Sequence, residues 1–125
     1  MPDRPSGNGY TVLESTARTA TVSSSAVVGE GHRGAHIILT ATAVTAGASI
    51  VPTVEGYNSV TDAWYTILTG AALTGTGTTV LKVYPGITPV TNVAVSDVLP
   101  ARWRVTMTAA DSKSATYSIV ANLLK

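Results

Sequence analysis

The 125-residue chain contains no cysteine, so neither a disulfide framework nor a thiolate metal site is available to it. That absence fits a reducing compartment. Charge is scarce as well: only 12% of residues are Asp, Glu, Lys or Arg, and the formal net charge is +1. A nearly neutral domain has no basic footprint for nucleic acid. Long apolar runs are missing, with nothing near the ~20 residues a membrane-spanning helix needs. The opening "MPDRPSGNGY" has one arginine and no apolar stretch behind it, so it does not read as a signal peptide. These absences predict a soluble chain with no membrane or nucleic-acid partner. Its length predicts one domain.

Scarce charge beside 45% hydrophobic residues carries a further implication. A monomer kept soluble by its own surface usually has about a quarter of its residues charged. Half that amount predicts a surface covered by neighbours, as in a homo-oligomer or a larger assembly. Thr, Val and Gly are used heavily, whereas Glu, Lys, Leu and Met are scarce. That set favours half-buried strands over helices and predicts an all-β fold.

Residues 1–9, "MPDRPSGNG", hold two prolines and two glycines and read as a flexible arm, with a single domain over 10–125. Strand candidates follow at 10–14 and 18–23, with a brief apolar step before the loop "GEGHRG". "AHIILTATAV" (35–44) alternates strongly. Ile37, Leu39, Ala41 and Ala43 share its core face, and His36, Ile38, Thr40 and Thr42 share the other. Pro52, within 48–58, predicts an edge position or a bulge. The strands at 63–70 and 78–86 flank a Gly-containing stretch suited to a hairpin. Residues 88–99 read either as a strand or as a crossover carrying a short one. "ARWRVTMTAA" (101–110) and "SATYSIVANLLK" (114–125) complete about eight short strands, the pattern of an antiparallel β-sandwich, jelly-roll-like in arrangement.

Within 101–110, alternation sets Trp103, Val105 and Met107 toward a core and Arg102, Arg104, Thr106 and Thr108 away from it. Arg102 and Arg104 then stand ~6.6 Å apart on one face. As planar forks suited to carboxylates they are candidate interface anchors, and Arg4 in the arm is a third. Trp103, Ile37 and Leu39 are assigned to the core.

Reactive chemistry has little to stand on. His32 and His36 lie ~13 Å apart if the segment is extended, and Glu30 with His32 makes only a two-ligand set, so no metal site is expected. There is no G-x-S-x-G, and the chain offers no cysteine to pair with histidine. Asp62, Asp97 and Asp111 each fall at a turn, where aspartate bonds its own backbone. "LTGTGTT" lacks the lysine of a phosphate loop. Trp64, Tyr65 and Tyr57 suggest a sugar-stacking platform, but adjacent Trp64 and Tyr65 face opposite sides of a strand, which predicts that one of them is core. No catalytic residue, cofactor or metal is expected.

Residues 55–125 carry a string of local patterns: "WYTILTGAAL", a Gly/Thr stretch into "LKVYPG", "NVAVSDVLPARWRV" and a final "YSIVANLL". In that order they resemble small structural proteins of tailed bacteriophages, of the capsid decoration (cement) type. The resemblance implies a β-rich, trimer-forming virion component on the outside of the capsid, made in the host cytoplasm. Its implied partner is the major capsid protein of an HK97-fold shell, which it braces across capsomer joints. A neck or tail structural component, or a glycan-binding adhesin module, is the alternative.

Overall fold

The computed structural model describes residues 9–28 and 31–125, and among these every regular element is a strand. In chain order they are β1 (Gly9–Arg18), β2 (Val22–Ser23), β3 (Val27–Val28), β4 (Gly34–Val44), β5 (Ile50–Asn58), β6 (Ala63–Thr69), β7 (Gly77–Val83), β8 (Ala94–Val95), β9 (Arg102–Ala109) and β10 (Ala115–Leu124). They form two sheets. Sheet A runs β1-β10-β4-β7-β8, and sheet B runs β2-β9-β5-β6, with β3 also on β9. All pairings are antiparallel except β7 with β8.

The period-two pattern decides what lies between the sheets. Trp103, Val105 and Met107 of β9 are fully buried, as are Ile37 and Leu39 of β4 and Tyr117 and Ile119 of β10. They belong to one continuous apolar cluster that includes Ile50, Val54, Leu81 and Val83. Such interdigitated inner faces are what hold a two-sheet core together. The alternation of β4 fails at one place. Ala43, expected inside, is exposed, because Thr116 pairs with Ala43 while Tyr117 pairs with Ala41. Thr42 is the extra residue of that bulge and turns the strand's end around.

Pro52 sits in the interior strand β5, buried, and not at an edge. Its carbonyl accepts from Gly70 N–H at 2.8 Å, on the side of β6. The missing N–H therefore points to the same side, just past Thr69 where β6 ends, and the ladder to β9 stays whole. The expected hairpin over 63–86 is also absent. β6 belongs to sheet B and β7 to sheet A, so residues 70–76 cross between sheets, pinned where Leu73 and Ile50 exchange backbone hydrogen bonds. Residues 88–99 form a crossover carrying the two-residue β8.

β2 and β3 share one partner strand and are separated by an irregularity. From Ser23 to Val27 the chain advances four residues while β9 advances three, from Thr106 to Trp103. Ser24 manages the mismatch. Its N–H donates to Val105 O at 2.9 Å, and its Oγ accepts from Val105 N–H at 3.1 Å while donating to Ser25 O at 3.0 Å. Ser24→Ala therefore leaves a buried N–H unpaired. The expected cost is ~1–3 kcal/mol, read as a lower denaturant midpoint with an unchanged slope, whereas Ser25→Ala is expected to be near neutral.

At the edge of sheet A, β1 is offset twice against β10. Arg18 closes that irregular end: its guanidinium donates to the carbonyls of Tyr117 at 2.8 Å and Glu14 at 2.6 Å and lies 4.7 Å from the centre of the Tyr117 ring. Burial pushes the Tyr117 phenol up from its ordinary value, with Arg18 opposing. A phenol raised on folding ionises more readily when unfolded, so stability is full below about pH 10 and falls above it. Alkaline unfolding is thus expected to coincide with the ionisation step that Tyr117→Phe removes, seen by absorbance at the tyrosinate band.

Candidate interaction surface

The outward face of sheet B collects the residues the sequence singled out. β9 presents Arg102, Arg104, Thr106 and Thr108, and β5 presents Thr53, Glu55 and Tyr57 beside them. Glu55 pairs directly with Arg104 across the ladder, and Tyr57 with Trp64. Arg104 Nε donates to Glu55 Oε1 at 2.8 Å, and Thr106 Oγ1 donates to the same oxygen at 2.7 Å. Ser23 and Thr106 hydroxyls lie 2.8 Å apart and extend the chain to β2.

Aromatic rings continue the row. The Tyr57 and Trp64 rings are 5.0 Å apart and tilted at 54°, within the range for favourable aromatic pairs. Each is faced by a guanidinium: Arg104 Cζ lies 4.2 Å from the Trp64 centroid and Arg102 Cζ 5.2 Å from that of Tyr57. Both distances are within the reach of cation–π attraction. The Tyr57 hydroxyl donates to Asp62 Oδ1. That bond holds the phenol's proton and pushes its pKa up, with the Asp62 charge adding to the effect and Arg102 opposing.

The two central arginines therefore differ. Arg104 is three-quarters buried and already holds a carboxylate. Arg102 is exposed, and among the described residues it has no carboxylate partner. Arg4, the third candidate, lies outside the described residues. Trp103 behind them is wholly buried, and among the described residues its indole N–H has no hydrogen-bond partner.

Neither Trp64 nor Tyr65 is core, contrary to the sequence expectation. β6 is an edge strand with a register shift at Val54/Glu55, so both its faces reach solvent. Trp64 lies on the arginine face. Tyr65 covers Gly56 at the rim, where a Cβ would meet its ring at 2.6 Å and Pro100 at 2.9 Å. Gly56 is the space that Tyr65 fills.

Among the described residues, no three His, Asp or Glu side chains come together as a metal-binding group; Glu30 lies outside them. His36 lies on sheet A, in the row with Asn122 and Lys82. Asp111 accepts from Lys113 N–H at 2.9 Å, which holds its carboxyl below the usual range, and Asp97 accepts from Val98 N–H at 2.8 Å. The sequence missed Glu55 as the partner of Arg104. Its signal is the alternation of "TVEGY", which puts Glu55 and Tyr57 on one face; pairing with β9 is not visible locally.

No protein-family model and no curated protein matches the chain.

Glu55→Ala removes two charge-assisted hydrogen bonds and leaves Arg104 without its carboxylate. The expected loss is ~1–3 kcal/mol, smaller at high salt in a double-mutant cycle with Arg104→Ala because the pair is partly exposed. Tryptophan fluorescence is expected to shift as Trp64 loses its fixed guanidinium.

Proposed function

We propose that the chain is a capsid decoration protein of a tailed bacteriophage, bound to the outer surface of an assembled HK97-fold shell and made in the host cytoplasm. The observation that carries this reading is the Arg102–Tyr57–Trp64–Arg104 strip. Arginine, tyrosine and tryptophan are the residue types on which interfaces most depend, and here they are gathered on one sheet face of a chain with few charges. Arg102 lies over the Tyr57 ring, and its guanidinium donors suit a carboxylate of the partner. The resemblance of residues 55–125 to cement proteins supports the same reading.

A jelly-roll arrangement belongs with it. Counting β2 and β3 as one interrupted strand and setting β8 aside leaves eight strands. Their antiparallel pairs nest as β1 with β10, β2/β3 with β9, β4 with β7, and β5 with β6, the pattern of a long ribbon rolled into two sheets. Jelly rolls are common in virion subunits, but such a fold serves many functions and supports this one only as analogy.

The role is mechanical and not catalytic. Whatever binds only the assembled state stabilises that state by mass action, and a homo-oligomer, a trimer at three-fold joints, engages several subunits at once. A neck or tail position differs in copy number. The glycan-binding alternative is favoured by the Tyr57–Trp64 pair but weakened by the guanidiniums that face both rings, since a stacking sugar needs an uncovered face.

Purified virions are expected to hold hundreds of copies per particle; about a dozen would place the chain in the neck or tail. Arg102→Ala is expected to weaken binding to bare shells roughly tenfold or more, equivalent to ~1.4 kcal/mol, with the fold unchanged. Unaltered affinity would remove Arg102 from the interface.

A further inference from the structure

The outward face of sheet A carries a groove that the arginine strip does not involve. It forms because the segment after β7 turns back and is pinned in place. Lys82 N–H donates to Val93 O at 2.8 Å, Gly86 N–H to Ser96 Oγ at 2.9 Å, and Asn92 Nδ2 to Thr69 O at 2.9 Å. Gly86 and Asn92 adopt positive φ, 90° and 63°, where the segment reverses. Tyr84 closes one end: its hydroxyl donates to the main-chain oxygen of Lys125 at 2.5 Å. Its ring lies against Gly34, where a Cβ would be 2.6 Å from the ring and 2.1 Å from Val83 O. The groove holds about 560 Å³, the size of an ordinary ligand or side-chain pocket.

Its chemistry is mixed in a specific way. Val90, Val93 and Leu124 supply apolar wall, while His36, Lys82 and Lys125 supply nitrogen, and no carboxylate side chain lines it. The two ion pairs among the described residues are Arg104–Glu55 and Lys113–Asp111, so neither lysine is matched within them. Val90 and Val93 are half and two-fifths exposed, so the apolar wall of the groove is open to solvent. Beside the groove, register neighbours Val120, Ile38 and Val80 form an aliphatic row across the same outer face.

The geometry points to this groove as the docking site for an acidic, aliphatic-flanked segment of a partner polypeptide. A carboxylate side chain sits between Lys82 and Lys125, and its aliphatic neighbours cover Val90, Val93 and Leu124. In an extended segment, alternate side chains fall ~6.6 Å apart on one side, so the next one reaches the Val80–Ile38 row. That continuity favours a polypeptide over a small amphiphile, which would fill the groove and leave the row uncovered. The inference rests on the decoration reading in one respect: the segment is taken to belong to a shell subunit.

The test uses the whole chain, amide NMR, and three probes: the peptide acetyl-Val-Glu-Val-Glu-Val-amide, its lysine counterpart, and decanoate. The acidic peptide is expected to shift amides of residues 82–94 and 124–125, less so at high salt, and Lys82→Glu is expected to weaken it at least about tenfold with other amides unmoved. No shift, an equal response to the lysine peptide, shifts centred on Arg102 and Trp64, or binding of decanoate alone would overturn the inference. Bare shells separate it from the decoration reading. Lys82→Glu protein that binds shells like wild type overturns the groove and keeps decoration. Wild-type protein that binds the acidic peptide but no shell overturns decoration and supports the groove as an acidic-segment site.

Discussion

Everything in this molecule depends on a single constraint: the apolar side chains of each strand must meet between two sheets. The row Trp103–Val105–Met107 is wholly buried, and burial of such side chains is worth about 1.5–3 kcal/mol each. A one-residue slip of β9 would turn that row to water and bring Arg102 and Arg104 inside. The core thus fixes the register, and the register assigns the two arginines to the outer face. At its centre the Trp103 indole N–H has no hydrogen-bond partner among the described residues.

With the inner faces committed, the edges and outer faces remain for contact with other molecules, and the edges are blunted. β1 is bulged twice, β8 is two residues long, the β2/β3 edge is interrupted at Ser24, and β6 carries a register shift. Irregular and short edges resist strand addition from another chain. The two outer sheet faces differ. Sheet B presents a self-satisfied aromatic–arginine strip with one exposed guanidinium. Sheet A presents an open groove whose lysines have no carboxylate partner among the described residues, beside an aliphatic row.

Much of this was legible from alternation alone. β4, β9 and β10 fall within a residue or so of the stretches at 35–44, 101–110 and 114–125, and the buried partners of Trp103 are the ones its period implies. What the sequence hid is non-local. Glycines at 70–77 mark a reversal of direction but not whether the flanking strands pair, and here they enter different sheets. Pro52 is compatible with an interior strand because the neighbour on its nitrogen side has already ended, a fact set by β6. The Glu55–Arg104 pair joins residues 49 apart, and the groove joins β4, β10 and the segment after β7. Neither arrangement leaves a local signature.

The central claim is that this chain stabilises an assembled shell by covering joints between its subunits. Its most direct test is the temperature at which bare shells rupture, measured as purified protein is added to saturation. That temperature is expected to rise and to level off when the outer sites are full. A rupture temperature that does not change while the protein is bound would contradict it.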